Sequence, residues 1–136
     1  MGDRSNIAIQ DTNGNRVYLY AHWLGEDILT IAKDVLERRE RWDDEPYLAR
    51  MMFNAMTRGD EDDSTGFGIT TYLSDYDYPV IVVSPSEEMV WLETVDSTTR
   101  AMQQGTEKVS FETFINCVPS QPTFLNVAIN MGMVFV

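Results

Sequence analysis

Asn6-Ile-Ala-Ile-Gln10, Asp11-Thr-Asn-Gly-Asn15 and Arg16-Val-Tyr-Leu-Tyr-Ala-His22 are the stretch on which the fold turns. Two β-prone runs flank a cluster of turn formers. Asn13-Gly14 is a strong hairpin signal, because both residues tolerate the positive φ of a two-residue type I′ turn. With that loop, Ile9 pairs with Tyr18, Ile7 with Tyr20 and Ser5 with His22, and each pair shares a face. Ala8, Val17 and Leu19 occupy the opposite face. Both faces are largely apolar, so the hairpin is expected inside a layered fold.

Downstream, the apolar period changes from two to helical. Ile28, Ile31, Ala32, Val35 and Leu36 predict a helix over 25–41. Asp34/Arg38 and Glu37/Arg41 are spaced as supporting ion pairs. A second helix is predicted from Asp44, with Pro46 in its first turn, an apolar face of Leu48, Met51, Met52, Ala55 and Met56, and Gly59 at its C-terminal cap. Trp42 is expected to pin the turn between the two helices, with Asp43 or Asp44 capping the second. Strands are predicted over 67–73, 79–84 and 89–94. The run Val80-Ile-Val-Val83 is continuous and apolar, as a central strand covered on both faces requires. Residues 96–108 read as loop with a short helix. Ser110 caps a short helix that Pro119 stops. The tail, 123–136, is expected to add one or two strands. The expected class is therefore α+β, a single domain over 1–136 with a mostly antiparallel sheet and two central helices. A second sheet behind the first would make a layered sandwich like that of the N-terminal-nucleophile hydrolases. That analogy concerns fold alone, since Gly2 could not act as a nucleophile.

At 136 residues, with 43% apolar and 24% charged residues, the chain suits one globular domain. No apolar run approaches the length of a membrane span, and no membrane partner is expected. Cys117 is the only cysteine, which excludes an internal disulfide and fits a cytoplasmic protein. Its apolar neighbours and the absence of an adjacent His or base predict a buried, inert thiol.

Net charge is −12, and the excess is uneven. Residues 43–96 carry thirteen acids against Arg50 and Arg58, whereas the flanking segments are close to neutral. Such a field disfavours direct nucleic-acid binding, which needs clustered Lys and Arg. It would steer a basic protein partner. Asp60, Glu61, Asp62 and Asp63 form the densest run and are the candidate partner-binding residues. They do not make a calcium loop. Counted from Asp60, the glycine falls one place late and Thr71 replaces the bidentate Glu; counted from Glu61, Tyr72 holds that last position. No zinc set can be assembled from one Cys and one His without unusual carboxylate ligands. Thr65-Gly-Phe-Gly-Ile69 lacks the lysine of a phosphate-binding loop. No cofactor and no metal are assigned.

His22 is the single histidine, placed where strand gives way to helix. A Ser5/His22/Asp3 triad can be drawn, but Asp3 is two residues, about 7 Å, further along the strand. A histidine held structurally at the strand end is the simpler reading, and no catalytic residue is assigned. Were tertiary packing to gather Arg4, His22, Trp23 and Arg41, they could hold a small anionic ligand. These four are the candidate ligand-binding residues, around the 3–23 hairpin and the 41–44 turn.

Several segments together resemble a family of small uncharacterised proteins from bacteriophages and actinobacteria. They are Met-Gly-Asp-Arg-Ser-Asn6, Val17-Tyr-Leu-Tyr-Ala-His-Trp23 with Gly25, Arg41-Trp-Asp-Asp44 with Tyr47-Leu-Ala-Arg50, Thr65-Gly-Phe-Gly-Ile69 and Pro79-Val-Ile-Val-Val83. The resemblance spans residues 1 to about 118 and brings no activity or site residue with it. It implies a phage-type origin and a location in the host cytoplasm. The functional expectation is an accessory protein that binds and inhibits or sequesters a basic host factor through an acidic surface. The alternative is a small-ligand binder or hydrolase at the hairpin; a virion assembly protein is a third class. Sequence leaves the oligomeric state open.

Overall fold

The computed structural model describes residues 2–133. The elements run β1 (Ser5–Gln10), β2 (Arg16–Ala21), α1 (Asp27–Glu37), α2 (Glu45–Thr57), β3 (Phe67–Thr70), β4 (Val80–Ser84), β5 (Met89–Val95), β6 (Met102–Gln104), β7 (Val109–Ser110), α3 (Phe111–Cys117) and α4 (Phe124–Asn130). The strands make one sheet of order β3-β2-β1-β4-β5-β6, with β7 also paired to β5. Every pairing is antiparallel except β1 with β4. The class is α+β, as the alternation of apolar periods predicts. No second sheet stands behind the first among the described residues, so the hydrolase-like sandwich does not apply.

The hairpin forms in a different register from the one Asn13-Gly14 predicts. Ile9 faces Val17, Ile7 faces Leu19 and Ser5 faces Ala21. The cause is Asp11. Its Oδ1 accepts from the backbone N–H of Asn13 and of Asn15, at 2.9 and 2.8 Å. Gly14 N–H donates to the Asp11 carbonyl, Asp11 N–H donates to the Asn15 carbonyl, and Gly14 has φ +85°. This is a type I turn closed by a glycine bulge, with Asp at the first position and Gly at the fourth. The shift of one residue has a large effect, because side chains alternate across a strand. Ile7, Ile9, Leu19 and Ala21 now join one core beneath the helices, whereas Ala8 and Tyr18 turn to the back of the sheet.

The helical layer buries Ile28, Leu29, Val35 and Leu36 of α1 against Leu48, Met51, Met52 and Met56 of α2, over Ile7, Leu19, Ile81 and Leu92. Ile31 packs at its margin. Strand β4 is buried along its whole length between β1 and β5, as expected for a central strand. Asp44 caps α2 by accepting from Tyr47 N–H, with Pro46 inside the first turn. Trp42 donates its indole N–H to the Leu36 carbonyl at 2.9 Å and packs edge-on against Phe111. Ser110 caps α3 by accepting from Thr113 N–H.

Three other expectations need correction. Helix α1 ends at Glu37, short of Arg41. Arg39 and Arg41 adopt φ of +56° and +58°, which no helix sustains. The expected 34/38 and 37/41 ion pairs therefore give way to Lys33–Glu37, Arg38–Glu40 and Arg41–Asp44. Residues 96–108 contain strand β6 rather than a short helix. The tail forms helix α4, started by a reciprocal cap between Thr123 and Asn126; residues 134–136 lie outside the described region.

On the back of the sheet, Ala8, Tyr18, Val80, Val82 and Trp91 form a second, smaller cluster. Arg16 of β2 bridges to Glu93 of β5 there, across the two strands between them.

Candidate functional site

The strand ends define two poles. Ser5, Ala21 and Phe67 share one, and Gln10, Arg16 and Ser84 share the other. At the first pole the chain enters β1 and leaves β2. Asp3 N–H donates to the His22 carbonyl and Gly25 N–H to the Asp3 carbonyl, so the two segments are tied together by backbone. Arg4 lies against the loop before β4. Its guanidinium reaches Asp75 at 2.6 Å and Asp77 at 3.1 Å, and its backbone N–H also donates to Asp77. The Arg4 bonds hold the Asp77 carboxyl below its ordinary range. The imidazole Nδ1 of His22 is 2.8 Å from the Tyr20 hydroxyl. Its other side is crowded by Gly2, where an added Cβ would sit 2.6 Å from Nε2. Trp23 packs edge-on against His22 and lies over Gly66, where a Cβ would come within 2.5 Å of the indole ring. Arg4, His22 and Trp23 are thus neighbours of one another or of the same loops, but the Arg4 guanidinium and His22 Nδ1 are already engaged with the protein.

Arg41 is not part of that group. Helix α1 separates it from Trp23 by eleven residues, about 16 Å of helix. Its contacts are Asp44 at 3.7 Å and the face of Tyr47, 4.5 Å from the ring centre. The Ser5/His22/Asp3 triad is also absent. Ser5 is fully buried on the helix side of the sheet, its hydroxyl has no hydrogen-bond partner, and it pairs with Ala21.

Asp60, Glu61, Asp62 and Asp63 follow α2 at the first pole, and all four are exposed. Their hydrogen bonds are local. Asp60 N–H donates to the Thr57 carbonyl, Asp63 N–H to the Asp60 carbonyl, and Gly59 N–H to Glu61 Oε2 at 3.0 Å. Backbone hydrogen bonds hold the Glu61 carboxyl below its ordinary range. Other acids of the 43–96 segment are committed elsewhere. Asp75 and Asp77 bind Arg4, Glu93 is buried against Arg16, and Glu87 pairs with Lys108 beyond Ser84, at the second pole. The segment is therefore not one acidic face, and the 60–63 loop is its concentrated part.

A second charged feature contains, of the candidate site residues, only Arg41. A cleft of about 320 Å³ on the outer side of α1 and α2 is lined by Arg38, Glu40, Arg41, Tyr47, Arg50, Met51, Asn54 and Arg58. The two bases that interrupt the acidic segment, Arg50 and Arg58, both lie in it. A signal was available: Tyr47, Arg50, Asn54 and Arg58 recur at three- and four-residue spacing, a polar stripe on one helix face. The contribution from 38–41 depends on the positive-φ turn and has no periodic signature.

Among the described residues no group of three or more His, Cys, Asp or Glu side chains could hold a metal ion, and no helix is long and apolar enough to cross a membrane. Fold and surface together define an α+β protein of one mixed sheet with helices on one face, carrying an acidic loop and a separate arginine-lined cleft. Comparison with protein-family models, curated proteins and solved structures finds no match to this chain.

Proposed function

We propose that this chain is a phage-type accessory binding protein that sequesters a basic host protein, and that Asp60, Glu61, Asp62 and Asp63 are its contact surface. The observation that carries this reading is the state of those carboxylates. All four are exposed on one loop and none takes part in an ion pair among the described residues. Charges left uncommitted in this way steer an oppositely charged partner and form contacts at the rim of an interface. The resemblance to phage and actinobacterial proteins supports the host-cytoplasm setting. Enzymatic chemistry draws no comparable support, because Arg4 is paired with Asp75 and Asp77, His22 Nδ1 meets the Tyr20 hydroxyl, and the Ser5 hydroxyl bonds neither.

The test is affinity capture from host lysate with the wild type and with an Asp60→Asn/Asp62→Asn/Asp63→Asn variant. A basic protein retained by the wild type, released by salt and lost by the variant supports the reading. Equal retention by both proteins contradicts it.

A further inference from the structure

We propose that the cleft between the end of α1 and the outer face of α2 is a binding site for an oligophosphate, free or as the tail of a nucleotide. The inference is independent of the acidic-loop reading and concerns a different surface.

Four arginines of this acidic chain line one cleft: Arg38, Arg41, Arg50 and Arg58. Arg38 and Arg41 are each tempered by one carboxylate, Glu40 at 3.1 Å and Asp44 at 3.7 Å. Arg50 and Arg58 make no ion pair among the described residues, and the Glu61 carboxylate feels Arg58 only at longer range, through its charge. Glu40 is the only acid in the lining, and Asp34 flanks Arg38 and Arg58 in the adjoining depression. Like charges gathered this closely repel one another, and a counter-anion relieves that repulsion. In a protein with 22 acids available to neutralise 10 bases, the cluster is not a by-product of basic composition.

The backbone is arranged to build the cleft. Arg39 and Arg41 hold left-handed φ values, which cost a residue with a Cβ free energy and gather at functional sites. The turn sends Arg39 outward to Glu112 and onto Trp42, and returns Arg41 to Tyr47. Arg50 lies over the same ring at 6.0 Å. Tyr47 thereby holds two guanidinium groups near one ring as cation–π partners, and of the two only Arg41 also meets a carboxylate, Asp44.

The cleft's chemistry selects the ligand. Guanidinium forks match phosphate oxygens in pairs. With Arg38 and Arg41 each paired to a carboxylate, Arg50 and Arg58 leave two positive charges to be met, and the linked, multiply charged oxygens of a di- or triphosphate can reach both at once where a single carboxylate cannot. The lining is mainly polar, with Asn54 as a further donor and Met51 as its one aliphatic side chain, so the charged group is what the cleft recognises.

Titration calorimetry with sodium tripolyphosphate, at fixed ionic strength and with sodium sulfate as the control salt, tests this on the full chain. The expected result is one saturable site, with affinity at least about tenfold weaker in Arg50→Gln/Arg58→Gln. Arg100→Gln, remote in sequence and outside the cleft, should bind like the wild type. Tripolyphosphate should also raise the wild-type melting temperature more than sulfate does, and raise the double variant's no more than sulfate does. A parallel titration with ATP separates the two sources. Equal affinity means that the phosphate chain alone is read, and tighter binding of ATP means that the nucleoside contributes. The proposal is overturned by no saturable binding at about 10 mM ligand, by unchanged affinity in the double variant, or by duplex DNA displacing tripolyphosphate through these arginines in preference.

Discussion

The Arg16 guanidinium grips the Glu93 carboxylate at two points, 2.7 and 2.6 Å, although β1 and β4 lie between their strands. Gln10 accepts from Arg16 Nε at 2.8 Å, and Trp91 donates its indole N–H to Glu93 at 2.7 Å. The pair is nearly enclosed, and every polar contact is made by a charged or strongly dipolar group. Glu93→Gln should therefore destabilise the protein by about 3 kcal/mol, because removing one charge leaves its partner uncompensated. Urea unfolding measures this, and a loss below about 0.5 kcal/mol would show that the pair is solvated in solution.

The same carboxyl makes stability depend on pH. Burial alone would raise its pKa, but the bonds from Arg16 and Trp91 outweigh burial and hold it below the ordinary glutamate value. A depressed folded-state pKa contributes stability that is present above the unfolded value, near 4.3. That stability is lost as pH falls through the folded value. Midpoints of urea unfolding should fall more steeply below about pH 4.5 in the wild type than in Glu93→Gln. Parallel acid limbs in the two proteins would contradict this.

Hairpin geometry gives a third prediction. If Asp11 sets the register, Asp11→Ala should cost about 1 kcal/mol by losing two backbone hydrogen bonds. Gly14→Ala should cost a similar amount at φ +85°. Asn13→Ala should be milder than either. A two-residue type I′ loop would instead make Asp11→Ala the mildest of the three, because Asn13 and Gly14 would then both carry a positive φ and Asp11 would not hold the turn.

Much of the fold was legible because its signals were periodic and unopposed. The faces of α1 and α2, the apolar β4 run and the Asp44 and Ser110 caps were each read from local chemistry. The hairpin register was obscured because two turn grammars overlap in Asp11-Thr-Asn-Gly-Asn15, and the Asp11 side chain decides between them. The tail is apolar enough to suggest strands, but the reciprocal Thr123/Asn126 cap starts a helix there. Of the candidate site residues, the exposure of 60–63 follows from composition. The separation of Arg41 from His22 depends on where α1 ends, which a tertiary turn fixes at 38–41.

Gly66 offers a fourth test. At φ +97°, and with the Trp23 ring where its Cβ would be, Gly66→Ala must move the indole or the loop. It should cost about 1–3 kcal/mol and shift tryptophan emission. Unchanged emission and stability would mean that Trp23 does not rest on this loop.

Cys117 is buried, its thiol lies 3.4 Å from the Asn130 carbonyl, and burial pushes its pKa up. In the native state it should react with an aromatic disulfide reagent at least about 100-fold more slowly than in denaturant. Comparable rates would place the thiol at the surface.

The central functional claim rests on the 60–63 carboxylates, and association kinetics test it most directly. The partner captured by the wild type should be measured by stopped flow across a range of salt. Replacing Asp60, Asp62 and Asp63 with Asn should slow association at low salt and flatten its dependence on ionic strength, with little change in folding stability. His22→Ala should leave binding intact. A triple variant that associates at the wild-type rate at low salt, alongside a His22→Ala protein that has lost binding, would contradict the account.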